Sequence, residues 1–228
     1  AMGALVGLAV ADSVGAALEF VPVGQEGSYF DPKTLQTFGQ CNRFGLKPGQ
    51  WTDDTSMGLC IADSLLVRGG YDGSDIRVRL WNWWNRCYNN AFRHDESRSD
   101  SVGLGANTSL SLMMVGADPT GVTRPRFEGL GEDSGNGSVI RLAPVPIFFH
   151  ACDEDLLIRV SAESSRTTHP GPSASDACAF LGFVVARAIS RPTVRSLRHQ
   201  TGAAQFLDGC VAAYLARPEV GSQPALRR

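Results

Sequence analysis

The stretch GQWTDDTSMGL, from Gly49 to Leu59, places Thr52, Asp53 and Asp54 directly before an apolar run. Thr and Asp are favoured at helix N-termini, where their oxygens accept hydrogen bonds from free N–H groups and where the helix dipole favours negative charge. The same oxygens are the hard ligands that Mg²⁺ and Mn²⁺ prefer. Helix capping and metal binding are therefore both open interpretations, and they do not exclude one another, since Thr52 can serve in both.

Apolar residues recur with helical spacing on both sides of this stretch, and this pattern predicts an all-α fold. The predicted helices cover residues 2–19, 55–68, 75–90, 107–115, 138–151, 153–165, 174–190 and 202–216. Connectors rich in Gly, Pro and Asp separate them, at 21–50, 93–106, 118–137 and 166–173. Within 138–151, Pro144 and Pro146 argue against a central strand and also predict a kink in a helix.

Composition favours one large domain, residues 1–228, because 43% of the chain is hydrophobic and only 19% is charged. The net charge of −2 and the absence of basic runs give no reason to expect binding to nucleic acid or to a membrane surface. The six cysteines form no C-x-x-C pair, which predicts reduced thiols in a cytoplasmic compartment. The apolar N-terminus lacks a basic start and contains Asp12, so it is interpreted as a core helix rather than a signal peptide.

Two carboxylates of the predicted first helix, Asp12 and Glu19, lie seven residues apart and share a face if the helix continues to residue 19. Asp12 stands among alanines and valines, where a buried carboxylate requires hydrogen-bond partners. We therefore interpret Asp12 as a structural residue that ties down a loop. Glu19 lies at the predicted helix end, where a carboxylate can reach a ligand.

Two glycine-rich loops and one histidine loop precede predicted helices. Small residues let backbone N–H groups approach a phosphate at a helix N-terminus, although the same residue types also form ordinary turns. The histidine loop is a candidate for ligand contact, with simple exposure as the alternative. The candidate residues are Gly103, Gly105 and Asn107 in the first loop, Gly135, Asn136, Gly137 and Ser138 in the second, and His169 in the third.

Taken in order, four stretches resemble the ADP-ribosylglycohydrolase family, and the resemblance extends from the N-terminus to about Ala188. The stretches are GALVGLAVADSVGAALEF, PGQWTDDTSM, GNGSVIRLAPV and RTTHPGPSASDA. WTDDT after Pro-Gly is the most specific of them. The glycine loops add weight because they occur in the expected order.

The resemblance implies a single orthogonal all-α bundle around a binuclear Mg²⁺ or Mn²⁺ centre. Such proteins hydrolyse the glycosidic bond between ADP-ribose and a modified acceptor such as an Arg or Ser side chain, so ADP-ribose or an ADP-ribosylated protein is the expected partner. By motif, Thr52, Asp53 and Asp54 would be metal ligands, and Glu19 together with Asp53 and Asp54 would be catalytic. The two glycine loops and His169 would contact ADP-ribose.

One departure from the family pattern concerns a second metal-binding segment of D-x-D-T type, which this sequence does not contain; Asp208 in QFLDGCV stands alone. The expectation is therefore a chain that lacks the C-terminal part of the family domain. The alternative to a hydrolase is a catalytically inactive ADP-ribose-binding or structural (crystallin-like) relative. An unrelated all-α metal phosphohydrolase would need paired His and Asp residues, and His94-Asp95 is the one such pair in the sequence.

Overall fold

The computed structural model describes residues 1–19, 43–117, 121–129, 134–191 and 200–218. Every regular element in these residues is an α-helix, which confirms the predicted all-α class. The helices of the described residues are α1 (Met2–Gly15), α2 (Asp53–Arg68), α3 (Gly73–Arg86), α4 (Ala106–Met113), α5 (Pro144–Phe149), α6 (Glu154–Ser165), α7 (Pro172–Ser190) and α8 (Gln200–Leu215). Most of the predicted connector 21–50, and parts of 118–137, lie outside the described residues.

Polar residues at the helix ends explain where several helices begin and stop. Asp72 precedes α3, and its carboxylate accepts a hydrogen bond from the N–H of Asp75. Asp153 precedes α6 and accepts from two N–H groups in the first turn of that helix. α2 ends at Arg68 and is followed by Gly69, whose φ of 65° lies in the left-handed region that favours glycine.

The first helix is shorter than predicted, because α1 ends at Gly15 and not at residue 19. The N–H of Ala16 still bonds to the carbonyl of Asp12, but the N–H of Leu18 bonds to the carbonyl of Gly15 at 2.8 Å. This tighter turn leads the chain out of the helix. The condition under which Asp12 and Glu19 would share a helix face, a helix that continues to residue 19, is therefore not met.

The predicted helix 138–151 is reduced to Pro144–Phe149, preceded by turns. In the turns, the N–H groups of Val139 and Ile140 both bond to the carbonyl of Asn136. Pro144 begins α5 because a proline has no N–H to donate and its ring suits the first turn of a helix. The two prolines thus set where this helix starts instead of kinking a longer one.

The main core is formed by apolar side chains of α2, α3, α5, α6 and α7. Its fully buried members include Met57, Ile61, Leu65, Ile76, Leu80, Trp83, Leu142, Val145 and Cys178. α2 contacts α1, α3 and α5, while α7 contacts α5, α6 and α8. The central position of α2 holds its N-terminus, and with it the Thr52–Asp54 stretch, in a fixed place.

The cysteines and the long apolar helix α7 are two further features of the described residues. The cysteines of the described residues are free, and Cys60, Cys178 and Cys210 are buried; Cys41 lies outside the described residues. In the same part of the chain, α7 has the length and composition to cross a membrane. It carries Asp176, and it packs against α5 and α6 as a core helix does.

Candidate active site

A cavity of about 980 Å³ lies beside α1, the N-terminus of α2 and the loops near residues 103–108 and 135–137. This volume lies within the range of small-molecule sites. Eleven of the twelve predicted site residues line it: Glu19, Thr52, Asp53, Asp54, Gly103, Gly105, Asn107, Gly135, Asn136, Gly137 and His169. The fold therefore brings five distant stretches of sequence to one cavity.

Ser138 is the predicted site residue that does not line the cavity. Its side chain is buried, and its hydroxyl oxygen accepts a hydrogen bond from the hydroxyl of Ser165 at 2.9 Å. The thiol of Cys178 lies 3.7 Å from the same oxygen. Ser138 thus packs behind the glycine loop, between that loop and α7.

Asp12 connects α1 to the N-terminus of α2 through four hydrogen bonds. One carboxylate oxygen accepts from the N–H of Thr52 at 2.9 Å and from its hydroxyl at 2.7 Å. The other oxygen accepts from the N–H and the hydroxyl of Thr55, at 2.9 and 2.7 Å. These bonds satisfy the charge of a carboxylate that is only 6% exposed. Asp12 is therefore structural, as the sequence indicated, but it ties down a distant helix start rather than a neighbouring loop.

Thr52 occupies the N-cap position of α2 without capping it, since its side chain makes no cap hydrogen bond. The predicted capping role of Thr52 is therefore wrong, because Asp12 accepts the N–H of Thr55 in its place. The hydroxyl hydrogen of Thr52 points to Asp12. A hydroxyl has one hydrogen to donate and two lone pairs, so the Thr52 oxygen keeps lone-pair capacity toward the cavity.

Asp53 and Asp54 open α2 and bring negative charge into a partly enclosed place. Burial, aided by the charges of Glu19 and Asp12, raises the pKa of Asp53 to about 7. Burial, followed by the charges of Asp53 and Asp12, raises the pKa of Asp54 to about 8. With Asp12, Glu19 and Thr52, these residues form what we call the acidic wall. A cation here would favour the charged form of both carboxyl groups and relieve the repulsion that adds to the effect of burial.

Gly103 brings the first glycine loop against the acidic wall. Its φ is +90°, in the region that L side chains rarely adopt. A Cβ on Gly103 would overlap the carboxylate of Asp53. Glycine is therefore required at this position both by the backbone conformation and by the close approach to Asp53.

Glu19 lies in the turn after α1, at the edge of the acidic wall. It is half-buried, and this burial raises its pKa. The negative charge of Asp12 raises the pKa of Glu19 further, and the positive charge of Arg43 lowers it. Glu19 thus combines access to the cavity with a carboxyl that is easier to protonate than an exposed glutamate.

The oxygen donors of Thr52, Asp53 and Asp54 fit part of the coordination shell of one divalent cation. Mg²⁺ and Mn²⁺ prefer such donors, and Mg²⁺ usually keeps several waters when it is bound through one or two carboxylates. Within the described residues, no three His, Cys, Asp or Glu side chains come together in a metal-binding group. The oxygen donors available at the start of α2 are therefore two carboxylates and a hydroxyl, and all three residues line the cavity.

Another part of the lining, which we call the histidine wall, consists of Asn107, Gly135, Gly137 and His169. A Cβ on Gly137 would lie 3.1 Å from Cε1 of His169, and a Cβ on Gly135 would lie 3.4 Å from its Nε2. Burial, with a smaller effect of the nearby Arg141 charge, lowers the pKa of His169 to about 4. The ring is therefore neutral near pH 7, and the exposed-loop alternative for His169 is wrong because the residue is 2% exposed.

A model of the ADP-ribosylglycohydrolase family matches residues 1–227. The chain belongs to the ADP-ribosylglycohydrolase family. Its all-α architecture resembles a solved "ADP-ribosylglycohydrolase-related protein complex" with a TM-score of 0.63 and 30% identity, over 82% of this chain and 55% of that one. The family assignment confirms the resemblance that the four motifs indicated.

Two curated relatives of this family member carry names that describe their activity. It is 36% identical, over 193 residues, to "ADP-ribosylarginine hydrolase Tri1" of Serratia proteamaculans (strain 568), which covers 81% of this chain and 46% of the relative. It is 32% identical, over 200 residues, to "ADP-ribosyl-[dinitrogen reductase] glycohydrolase" of Rhodospirillum rubrum, covering 88% of this chain and 61% of the relative. The chain thus spans about half the length of the curated relatives that it matches.

Several residues at the cavity of this glycohydrolase-family chain were not predicted. Arg43, Phe44, Thr108 and Ile140 also line it. Ile140 lies within the stretch GNGSVIRLAPV and Thr108 follows Asn107, but neither was a candidate, and Arg43 and Phe44 lie outside the motifs. Arg141 lies fully buried beside the histidine wall and hydrogen-bonds to Thr168, which precedes His169. Its signal in the sequence is a lone charge inside the apolar run VIRLAPV, directly after a glycine loop.

The alternative of an unrelated metal phosphohydrolase depended on the pair His94-Asp95. His94 is exposed, and Asp95 forms an ion pair with Lys47 at 2.9 Å. Asp95 also accepts hydrogen bonds from Gln50 and Ser97. The pair does not line the cavity, so this alternative has no support in the geometry.

Proposed function

We propose that the chain carries the ADP-ribose site of a glycohydrolase that releases ADP-ribose from a modified side chain, with arginine as the first acceptor to test. The observation that carries the proposal is the arrangement of one cavity with an acidic wall and a histidine wall. The named activity of the Serratia proteamaculans relative supports arginine as the acceptor. The chemistry is the addition of water to the anomeric carbon of ribose, with departure of the acceptor nitrogen and transfer of one proton to it.

We propose that Thr52, Asp53 and Asp54 hold a divalent Mg²⁺ or Mn²⁺ ion at the acidic wall. Once bound, such an ion supplies Lewis acidity and orients sugar hydroxyls. Asp12 contributes by fixing the start of α2 and by accepting the Thr52 hydroxyl hydrogen, which leaves lone pairs of that oxygen for a cation. The family's binuclear centre would need further ligands beyond those that the described residues bring together.

Glu19 is the residue we assign to proton transfer. Its place in the turn after α1, at the rim of the acidic wall, gives it access to a ligand without making it part of the Thr52–Asp54 donor set. A carboxyl in this position can hold a proton for the departing acceptor or accept one from water. Asp53 and Asp54 then act through the cation and Glu19 acts directly on the substrate.

The histidine wall is the part that we assign to the ADP portion of the ligand. Gly135 and Gly137 leave room for a phosphate to approach the backbone, and His169 offers a neutral ring nitrogen. Asn107 offers an amide at the start of α4. This assignment keeps the negatively charged phosphates away from the carboxylates of the acidic wall.

The experiment is an assay for free ADP-ribose after incubation of the chain with a peptide that carries ADP-ribosylated arginine, in Mg²⁺ or Mn²⁺. Asp53→Asn is expected to lower kcat/KM by about 100- to 1000-fold, since it removes a charge needed in the transition state. The matched control is Asp100→Asn, which neutralises an exposed carboxylate outside the cavity and should leave kcat/KM unchanged. Excess chelator is expected to abolish release.

The second candidate function is binding of ADP-ribose without hydrolysis, favoured by the single cluster of cation ligands in the described residues. Calorimetry with ADP-ribose, with and without Mg²⁺, separates the two. If the affinity for ADP-ribose changes neither with Mg²⁺ nor with Asp53→Asn, and no ADP-ribose is released from arginine- or serine-linked peptides, the binding function is established and the hydrolase proposal is wrong.

A further inference from the structure

Arg141 is a buried guanidinium that no carboxylate neutralises by direct contact. Its side chain is fully buried, and in the described part of the chain it forms no ion pair. Its donors instead reach neutral acceptors: the sulfur of Met57 at 3.2 Å and the hydroxyl oxygens of Thr167 and Thr168 at 3.1 and 2.5 Å. Its Nε has no partner. Burial of such a charge is unfavourable, so the position requires a reason beyond packing.

The contact with Thr168 determines how that hydroxyl can bond. A guanidinium only donates, so Thr168 Oγ1 must accept from Arg141. The Thr168 hydroxyl is fully buried, and its one other partner in the described structure is Nδ1 of His169, at 2.7 Å. A buried hydroxyl hydrogen needs an acceptor, and Nδ1 is the acceptor within reach. Thr168 therefore donates to Nδ1 of His169.

This hydrogen bond fixes the state of the imidazole. A neutral ring that accepts at Nδ1 carries its hydrogen on Nε2. Nε2 lies on the side of the ring that faces Gly135, at the cavity lining. His169 is thus presented to the cavity as a neutral hydrogen-bond donor, with its orientation set from behind by Thr168.

Thr167 holds the same loop in a matching way. Its hydroxyl oxygen accepts from Arg141 and its hydroxyl hydrogen goes to the carbonyl of Ser164 at 2.7 Å. One guanidinium therefore anchors two consecutive threonines at the end of α6. Both contacts come from Nη2 of the guanidinium, while Nη1 lies 3.2 Å from the sulfur of Met57.

We propose that Arg141 is a positioning residue that acts through Thr168 to hold His169 as its Nε2–H tautomer, so that the ring donates to an oxygen of bound ADP-ribose. The ligand in this statement rests on the proposed function; the tautomer does not. Arg141 touches no cavity space itself, so its influence on binding passes through the threonine and the ring.

The test reads the ring nitrogens directly. ¹⁵N NMR of the ligand-free chain at neutral pH distinguishes an acceptor-type Nδ1 from a donor-type Nδ1, and the His169→Gln spectrum assigns the signals. Wild type is expected to show an acceptor Nδ1 and a protonated Nε2. Thr168→Val, which removes the hydroxyl and keeps the shape, is expected to shift His169 toward a mixture of tautomers. Thr168→Ser is the matched control and should restore the wild-type pattern.

Calorimetry with ADP-ribose on the same variants supplies the second reading. Thr168→Val is expected to weaken binding by about tenfold, as for one hydrogen bond, while Thr168→Ser stays close to wild type. A donor-type Nδ1 in wild type would overturn the proposal even if no variant folds, and so would unchanged ring signals in Thr168→Val. A chain with the expected tautomer that binds no ADP-ribose would contradict the proposed function and leave the tautomer assignment standing.

Discussion

The acidic wall of the cavity holds the carboxylates of Asp12, Glu19, Asp53 and Asp54, whereas the histidine wall, in the described residues, holds no carboxylate and lies in front of the buried guanidinium of Arg141. On the acidic wall burial raises the pKa values of carboxyl groups. On the histidine wall burial lowers the pKa of an imidazole. Both shifts favour neutral groups, but only the acidic wall gains from a cation.

This difference in charge between the two walls favours one orientation of a bound ligand. Repulsion from the carboxylates directs the anionic part of a ligand away from the acidic wall. The histidine wall receives it with neutral donors and with space left by glycines. A ligand with hydroxyls at one end and phosphates at the other matches this arrangement. Substitutions on each of the two walls therefore test it.

The largest expected effect comes from removing the support of the acidic wall with Asp12→Ala. Four buried donors on Thr52 and Thr55 would lose their acceptor. We expect a loss of about 3–4 kcal/mol in the free energy of unfolding, because hydrogen bonds to a buried charge are among the strongest. Urea unfolding measures this loss.

The matched control for Asp12→Ala is Asp153→Ala, which removes an exposed N-cap that accepts two N–H hydrogen bonds within its own helix. A local cap of this kind contributes about 1 kcal/mol. Equal losses for the two variants would show that Asp12 acts only as a cap and that α1 does not hold the acidic wall in place.

The next effect tests the close approach of the first glycine loop to the acidic wall. Gly103→Ala places a Cβ on the Asp53 carboxylate at a φ of +90°, so we expect a loss of about 2–3 kcal/mol and weaker Mg²⁺ binding. Gly105→Ala is the control, because open space surrounds Gly105 and its φ is −74°. Thermal unfolding with and without Mg²⁺ measures both, and identical behaviour of the two variants would contradict the close approach.

The sequence allowed the cavity to be predicted as a set of residues but not as a set of contacts. Asp53, Gly137 and His169 lie in motifs, and motifs are visible in the order of the chain. The hydrogen-bond partners of Asp12 were not visible in the sequence. Thr52 and Thr55 lie 40 and 43 residues away, and contacts at such separation leave no periodic pattern. Ser138 failed as a cavity residue for the same reason, since its partners in the fold, Ser165 and Cys178, decide where its hydroxyl points.

Helix positions followed the apolar pattern well and helix ends less well. α2, α3 and α7 begin within two residues of their predicted starts. The end of α1 and the start of α5 were not predicted correctly. They depend on a short turn after Gly15 and on the prolines of α5, which change single hydrogen bonds and leave the apolar periodicity unaltered. Arg141 was visible as a lone charge in an apolar run, but its role depends on two threonines that only the fold brings to it.

The histidine wall gives a dependence of stability on pH. The pKa of His169 lies near 4, below its ordinary value of 6.5, so between these values the unfolded chain binds a proton that the folded chain does not. The contribution of His169 is therefore complete above pH 6.5 and is lost as the pH falls toward 4. We expect this loss to be about 2 kcal/mol, allowing for the solvent that reaches the cavity.

The measurement compares urea unfolding of wild type and of His169→Gln in steps from neutral to acid pH. The difference between the two free energies of unfolding should shrink as the pH falls through this window. A difference that stays constant with pH would mean that the ring takes up its proton equally in the folded and the unfolded chain, so that burial does not lower its pKa, which would remove the distinction between the two walls.

The smallest expected change in stability comes from Gly137→Ala, which tests how tightly the histidine wall is packed. The new Cβ would lie 3.1 Å from Cε1 of His169 and 3.3 Å from the hydroxyl oxygen of Thr108. Because Thr168 holds the ring from the other side, His169 cannot retreat freely, and we expect a loss of about 1 kcal/mol in stability and a similar loss in ADP-ribose binding. Gly209→Ala in α8 is the control, since open space there and a helical backbone make alanine stabilising by about 0.5–1 kcal/mol. If both variants gain stability in thermal unfolding, the ring has room to move, and the orientation of His169 must then come from the ligand rather than from the wall behind it.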